Sequence, residues 1–294
     1  EPLSETVLPH VVGAVDDVPT EIVPVVHIWF GAEPFPDYFE AMCKVSLRRN
    51  DVFVLTEHKH EFSFKSERLH YVDLEPFIEP SRHFFESQEE GAYQPWGKSE
   101  PWEAHNVQRA FALKEWMQQD QRYNHVFFAD ADVSVFSNMT QVFHAEFKGC
   151  RSAFAFLERR EGDPLSWASW VGSSFLSQAV LADFERFVRA MYSPRYLPIL
   201  KMKRDNRPYV CDMALWYLYA VAFGHFPDEY GELQLPPVEA KSAEMCDLLR
   251  GSRFDHMCGW RKPGFTLDRA ARAFYRRNGT LEPLHTLHFQ GKAK

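Results

Sequence analysis

Apolar residues in this chain fall in short, nearly unbroken runs, separated by stretches with helical spacing. Ile22 to Phe30 (IVPVVHIWF) is the first run, and it ends at Gly31. A run bounded by Gly and Pro predicts a strand buried on both faces, as in a mainly parallel sheet. A helix is expected around Tyr38 to Arg49, then strands at Val52 to Thr56 (VFVLT) and Leu69 to Leu74 (LHYVDL). From Glu103 to Gln119 the apolar positions Val107, Ala110, Phe111, Leu113, Trp116 and Met117 recur at helical spacing, turning one face to a core. His125 to Phe128 predicts a short strand that runs into Asp130 and Asp132. Val171 to Tyr192 and Asp212 to Phe223 read as helical, and Leu284 to Gln290 as a last strand before the basic tail Gly291 to Lys294. Strands alternating with helices define an α/β fold with right-handed crossovers. Residues 1–21 carry mixed charge, Pro9 and Pro19 without a period and predict an arm, leaving 22–294 as one domain. Pro227 to Lys262 has no assignable pattern.

Composition narrows the function. With 294 residues and 45% hydrophobic content the chain can bury a sizeable core. Its net charge of -8 and pI near 5.9 argue against nucleic acid as a partner, which a basic face would serve. An acidic surface suits a divalent cation held between protein and polyphosphate. The longest apolar run, Met213 to Phe223, is far short of the roughly 20 residues that span a membrane. No membrane span is therefore expected within this chain, although a start at Glu1 is compatible with a trimmed leader or anchor. Asn138-Met139-Thr140 and Asn278-Gly279-Thr280 are sequons, compatible with the Golgi or another secretory-pathway lumen, with the cytoplasm as alternative. Cys43, Cys150, Cys211, Cys246 and Cys258 are too scattered for a disulfide framework. Cys246, His256 and Cys258 lack the paired spacing of a zinc site, so buried thiols or one disulfide are expected.

Candidate chemistry concentrates at Asp130 and Asp132, two residues apart after an apolar strand. In extended geometry their side chains point to the same side, at the carboxyl end where α/β sheets bind ligands. Two carboxylates with an incomplete shell suit Mn²⁺ or Mg²⁺ when substrate phosphates complete the coordination. The alternative is a polar turn, where Asp is common. Packing two carboxylates there without a cation costs on the order of several kcal/mol.

The stretch HVFFADADVSVFSNM resembles the Asp-x-Asp strand of GT-A-fold glycosyltransferases, and His288-Phe289-Gln290-Gly291-Lys292-Ala293-Lys294 resembles the His-x-x-Gly-x-x-Lys motif of the retaining, glycogenin-like family. The resemblance implies a sugar transfer from a nucleotide-sugar, UDP by analogy, to a hydroxyl of a glycan or glycoconjugate. It implies Asp130, Asp132 and His288 as metal ligands, with Gly291 and Lys294 on the diphosphate. Arg109 matches a basic residue near the donor sugar. Asp212, in Cys211-Asp212-Met213-Ala214-Leu215, matches an Asp that touches sugar hydroxyls beside the reaction centre. Gly172 and Ser173 fall where such enzymes place a turn beside the substrate, and Trp29 and Gly31 fall beneath the nucleotide base. Each has a structural alternative: Arg109 a surface residue, Asp212 a helix N-cap, Trp29 a core aromatic. Rival functions are a nucleotidyltransferase, which Gly31-Ala32-Glu33-Pro34 does not support as a phosphate loop, and an inactive glycan-binding relative.

Overall fold

A computed structural model describes residues 21–31, 34–57, 61–87, 100–156, 169–206, 211–225, 234–249, 254, 265–267, 273–277 and 280–289. The expected α/β architecture is present. β1 (Val25–Trp29), β2 (Val52–Thr56) and β3 (Leu69–Asp73) pair in parallel, and β4 (His125–Ala129) adds in parallel to the other side of β1. β7 (Ser169–Ser177) runs antiparallel to β4 and is followed by β6 (Ser152–Phe156) and the edge strand β8 (Met245–Asp247). The seven strands are ordered β3-β2-β1-β4-β7-β6-β8. Beyond the central sheet, β5 (Val133–Val135) pairs antiparallel with β12 (Thr286–His288), while β9 (Phe265–Leu267), β10 (Ala273–Arg277) and β11 (Thr280–Pro283) form a small antiparallel sheet.

Helices cover both faces. On one side lie α2 (Glu75–Glu86), α3 (Glu100–Asp120), α5 (Gln178–Met191) and α7 (Asp212–Ala222), with α6 (Leu197–Asn206) beside α5. Phe184 of α5 stacks on Trp216 of α7 with ring centroids 3.7 Å apart, and both are fully buried. Each such ring contributes roughly 1.5–3 kcal/mol by leaving water. On the other face α1 (Asp37–Ser46), the short α4 (Met139–Val142) and a π-helical turn (Phe143–Phe147) enclose a second core around Phe39, Phe127 and Phe175.

Two expectations need correction. The stretch from Val171 is not helical at its start: Ser169 to Ser177 are buried at every position between β4 and β6. A segment walled in on both sides is satisfied by strand hydrogen bonds, and the helix begins only where the Ser177 hydroxyl caps the Val180 amide. The last strand is also shorter than Leu284 to Gln290, since its pairing with β5 covers three residues. Among the cysteines, Cys150 and Cys246 form a disulfide that ties the entrance of β6 to β8. Cys246 is thereby removed from any zinc set, and His256 and Cys258 lie outside the described residues. Residues 1–20, Asn278, Gly291 and Lys294 also lie outside them.

Candidate active site at the carboxyl ends of the strands

The carboxyl ends of β1, β2 and β4 share one edge of the sheet, and the chain brings its charged residues there. After Ala129 the backbone does not continue extended. The Val133 amide donates to the Asp130 carbonyl (3.0 Å), closing a turn between β4 and β5. The expected extended geometry is replaced by a turn that gives Asp130 and Asp132 different partners, while the two carboxylates remain close enough to interact. Asp130 faces Arg109 of α3, whose Nη1 contacts its Oδ1, and Asp132 faces His288, with Oδ1 to Nε2 3.3 Å.

Arg109 is the hub of the first group. Its Nη2 donates to Asp212 Oδ2 (3.0 Å), its Nε to the Asn106 carbonyl (3.3 Å), and its guanidinium carbon lies 5.3 Å from the centre of the Phe128 ring. Its side chain is 16% exposed, those of Asp130 and Asp212 20% and 9%. Arg109 is therefore not a surface helix residue. Burial disfavours its charge, but Asp130 and Asp212 outweigh that and raise its pKa above the ordinary value. Asp212 is not an N-cap. Cys211 holds that position, and Asp212 is the first helical residue. For Asp130, burial pushes the carboxyl above the usual carboxylate range; Arg109 opposes this, while Asp132 and Asp212 add to it.

The second group is assembled by β-pairing. His288 lies opposite Val133 in the β5–β12 ladder, and the Phe289 amide donates to the Asp132 carbonyl (2.8 Å). The ladder fixes the C-terminal His beside the second Asp. Trp170, at the start of β7, stacks on the imidazole with centroids 5.2 Å apart and planes 28° from parallel. Sequence reasoning missed this partner, because nothing in Trp170's local pattern marks a residue that packs on the far end of the chain.

Gly172 lies in mid-strand, not in a turn, and the expected close approach is there. The Asp130 amide donates to its carbonyl (2.8 Å), and an added Cβ would sit 2.7 Å from Asp130 Cγ and from Trp170 Cε2. A side chain at this position would displace both groups of the site. Ser173 is opposite Ala129 and fully buried, its hydroxyl without a hydrogen-bond partner among the described residues. Trp29 is half-buried and stacks on Phe39 (5.4 Å), so one ring face belongs to the core; its buried indole N–H has no acceptor among the described residues. Gly31 has φ +138°, a region closed to other residues, and its amide donates to Glu57 Oε2 (3.2 Å). His27 is buried beneath this edge. Its Nδ1 donates to the Ala129 carbonyl (2.8 Å), and burial lowers its pKa to about 4, so it is neutral near pH 7.

As a donor set, Asp132 and His288 offer a hard oxygen and an imidazole side by side, with Asp130 adjacent, which fits Mn²⁺ or Mg²⁺ if phosphate oxygens and water supply the rest. Among the described residues no three His, Cys, Asp or Glu side chains converge as a ready metal shell.

No family model matches the sequence, and no curated protein is similar to it. Several solved structures are similar in fold. Mouse xyloside xylosyltransferase 1, in its apo form, is 13% identical with a TM-score of 0.48, over 69% of this chain and 83% of that one. An active-site mutant of LgtC is 15% identical with a TM-score of 0.47, over 92% of this chain and 88% of that one. LgtC, a galactosyltransferase, in complex with donor and acceptor sugar analogues is 13% identical with a TM-score of 0.44, with the same coverage. These neighbours are glycosyltransferases. A likeness at this level carries no residue roles to this chain.

Proposed function

We propose that the chain is a GT-A-type glycosyltransferase that moves a sugar from a nucleoside-diphosphate donor, UDP-linked, to a hydroxyl of a glycan or glycoconjugate. One observation supports this most: the β5–β12 ladder seats His288 on Asp132, beside an Arg109–Asp130–Asp212 network, at the edge of the sheet where α/β proteins bind nucleotides. Asp132 and His288, with Asp130 in reach, would hold Mn²⁺ or Mg²⁺. A bound divalent cation supplies Lewis acidity that offsets charge building on the departing diphosphate.

The chain's own residues do the rest by position and electrostatics. Trp170 fixes the His288 ring, and Gly172 leaves room for Asp130. Asp212, at the helix start, receives donor-sugar hydroxyls, and Arg109 holds its carboxylate in place. Lys294 and Gly291 would meet the diphosphate. In the transfer, the bond from the anomeric carbon to the diphosphate oxygen breaks and the acceptor oxygen bonds to that carbon. The acceptor proton passes to the leaving diphosphate if configuration is retained, as the C-terminal motif suggests. The Cys150–Cys246 disulfide supports an oxidising compartment such as the Golgi or another secretory lumen.

The test is a panel of UDP-sugars incubated with simple saccharide acceptors and Mn²⁺, products being identified by mass spectrometry and their anomeric configuration by NMR. Metal-dependent transfer, abolished in Asp132→Asn, is expected. Transfer unaffected by that change, or no turnover of any UDP- or GDP-sugar, would overturn the proposal.

A further inference from the structure

The donor-site corner holds more negative groups than its cation can share out. Among the described residues, Asp130, Asp132 and Asp212 meet there with one guanidinium, and each of its nitrogens already has a partner: Nη1 Asp130, Nη2 Asp212 and Nε the Asn106 carbonyl. Its planar fork is braced over Phe128, and both carboxylates hold it through charge-assisted bonds. Asp130 Oδ1 is thus held from α3, while its carboxylate stays close enough to Asp132 and His288 to interact with both charges. The missing Cβ of Gly172 makes the room that the Asp130 carboxylate occupies.

We propose that Arg109 is a positioning residue that withholds Asp130 from a divalent cation, so that cation and nucleotide diphosphate bind together rather than the cation first. The inference rests on the donor-site reading above and extends it to the order of assembly. Among the described residues, the protein alone presents the Asp132 carboxylate and the His288 imidazole, beside a fixed positive charge that repels a second cation. A hard divalent ion with few protein ligands keeps most of its water and binds weakly. A nucleoside diphosphate changes the balance twice. Its oxygens complete the coordination, and its charge offers Arg109 another anionic partner, which relaxes the hold on Asp130. Because coupling is reciprocal, the cation tightens nucleotide binding by the same factor.

The experiment measures Mn²⁺ binding from loss of the aqueous Mn²⁺ electron-paramagnetic-resonance signal, with and without UDP. Wild type, Arg109→Met and Arg109→Lys are compared. Wild type is expected to take up Mn²⁺ weakly alone and at least about tenfold more tightly with UDP. Arg109→Met, which frees Asp130, is expected to bind Mn²⁺ without UDP about tenfold more tightly than wild type and to lose most of the UDP effect. Arg109→Lys, which keeps the charge, stays near wild type without UDP. Should Arg109→Met prove unfolded by circular dichroism, the double variant Arg109→Met with Asp212→Asn carries one uncompensated carboxylate fewer and is expected to show the same gain. Unchanged or weaker Mn²⁺ binding in a folded Arg109→Met or double variant overturns this inference while leaving the donor-site reading standing. Absence of Mn²⁺ uptake by wild type even with UDP overturns both.

Discussion

Replacing Gly172 by Ala probes how tightly the site is built. The added Cβ would stand 2.7 Å from Asp130 Cγ and Trp170 Cε2, and closer still to Asp130 Oδ2. Carbon does not approach carbon that closely, so both side chains must move. Overpacking of this kind costs about 1–3 kcal/mol. Moving Asp130 also loosens its pairing with Arg109. Breaking a fully buried pair costs about 3–5 kcal/mol, but Asp130 is 20% exposed, so solvent screening reduces this to about 1 kcal/mol. The sum is about 2–4 kcal/mol. Urea unfolding of wild type and Gly172→Ala measures it directly. Gly149 is the control, because a Cβ added there meets nothing within 4 Å, and Gly149→Ala is expected to stay within about 0.5 kcal/mol of wild type. Since Trp170 also stacks on His288, Gly172→Ala should weaken Mn²⁺-dependent UDP binding as well. A Gly172→Ala protein within about 0.5 kcal/mol of wild type, with UDP binding intact, would refute the packing argument.

Protonation of His27 should cost stability. Its folded pKa, about 4, lies below the ordinary 6.5, so stability is undiminished above pH 6.5 and falls as pH drops toward 4. At pH 5 the loss is about 2 kcal/mol. His27→Asn, which keeps an N–H for the Ala129 carbonyl, should lack this component when urea midpoints at about pH 7.5 and 5 are compared; an unchanged pH response contradicts it. Cys150→Ser with Cys246→Ser opens a loop spanning 96 residues and should lower unfolding free energy by about 2–5 kcal/mol. A loss under about 1 kcal/mol would show that β8 docks without the bridge. Asn138 should carry no glycan: its Nδ2 donates to the Arg49 carbonyl (3.1 Å) and its Oδ1 accepts from the Gln141 amide (3.0 Å). Intact mass after secretion from a glycosylating host checks this, and a glycan mapped to Asn138 refutes it.

Much of the fold was legible because its strands are apolar runs closed by polar turns. Val52 to Thr56 and His125 to Ala129 are of this kind, and the helix at Asp212 starts where a carboxylate precedes a long apolar run. β7 was misread because α5 follows it without a breaker. The helical spacing of Val180, Leu181, Phe184 and Phe187 extends backwards into a strand whose own residues show no alternation. Within the site, Arg109, Asp130, Asp132, Asp212 and His288 were legible as chemical types in suggestive places. Their arrangement was not. The Arg109–Asp212 contact joins residues 103 apart, and the different partners of Asp130 and Asp132 depend on a turn that local sequence leaves open. Trp170's stacking on His288 exists only once β5 and β12 have paired.

The central claim is that Asp132, with His288, builds a metal-assisted nucleotide-diphosphate site. Calorimetric titration of UDP with and without Mn²⁺, on wild type and Asp132→Ala, tests it most directly. The account predicts binding that requires both Mn²⁺ and Asp132. UDP binding of equal strength without metal, or in Asp132→Ala with metal, would contradict it.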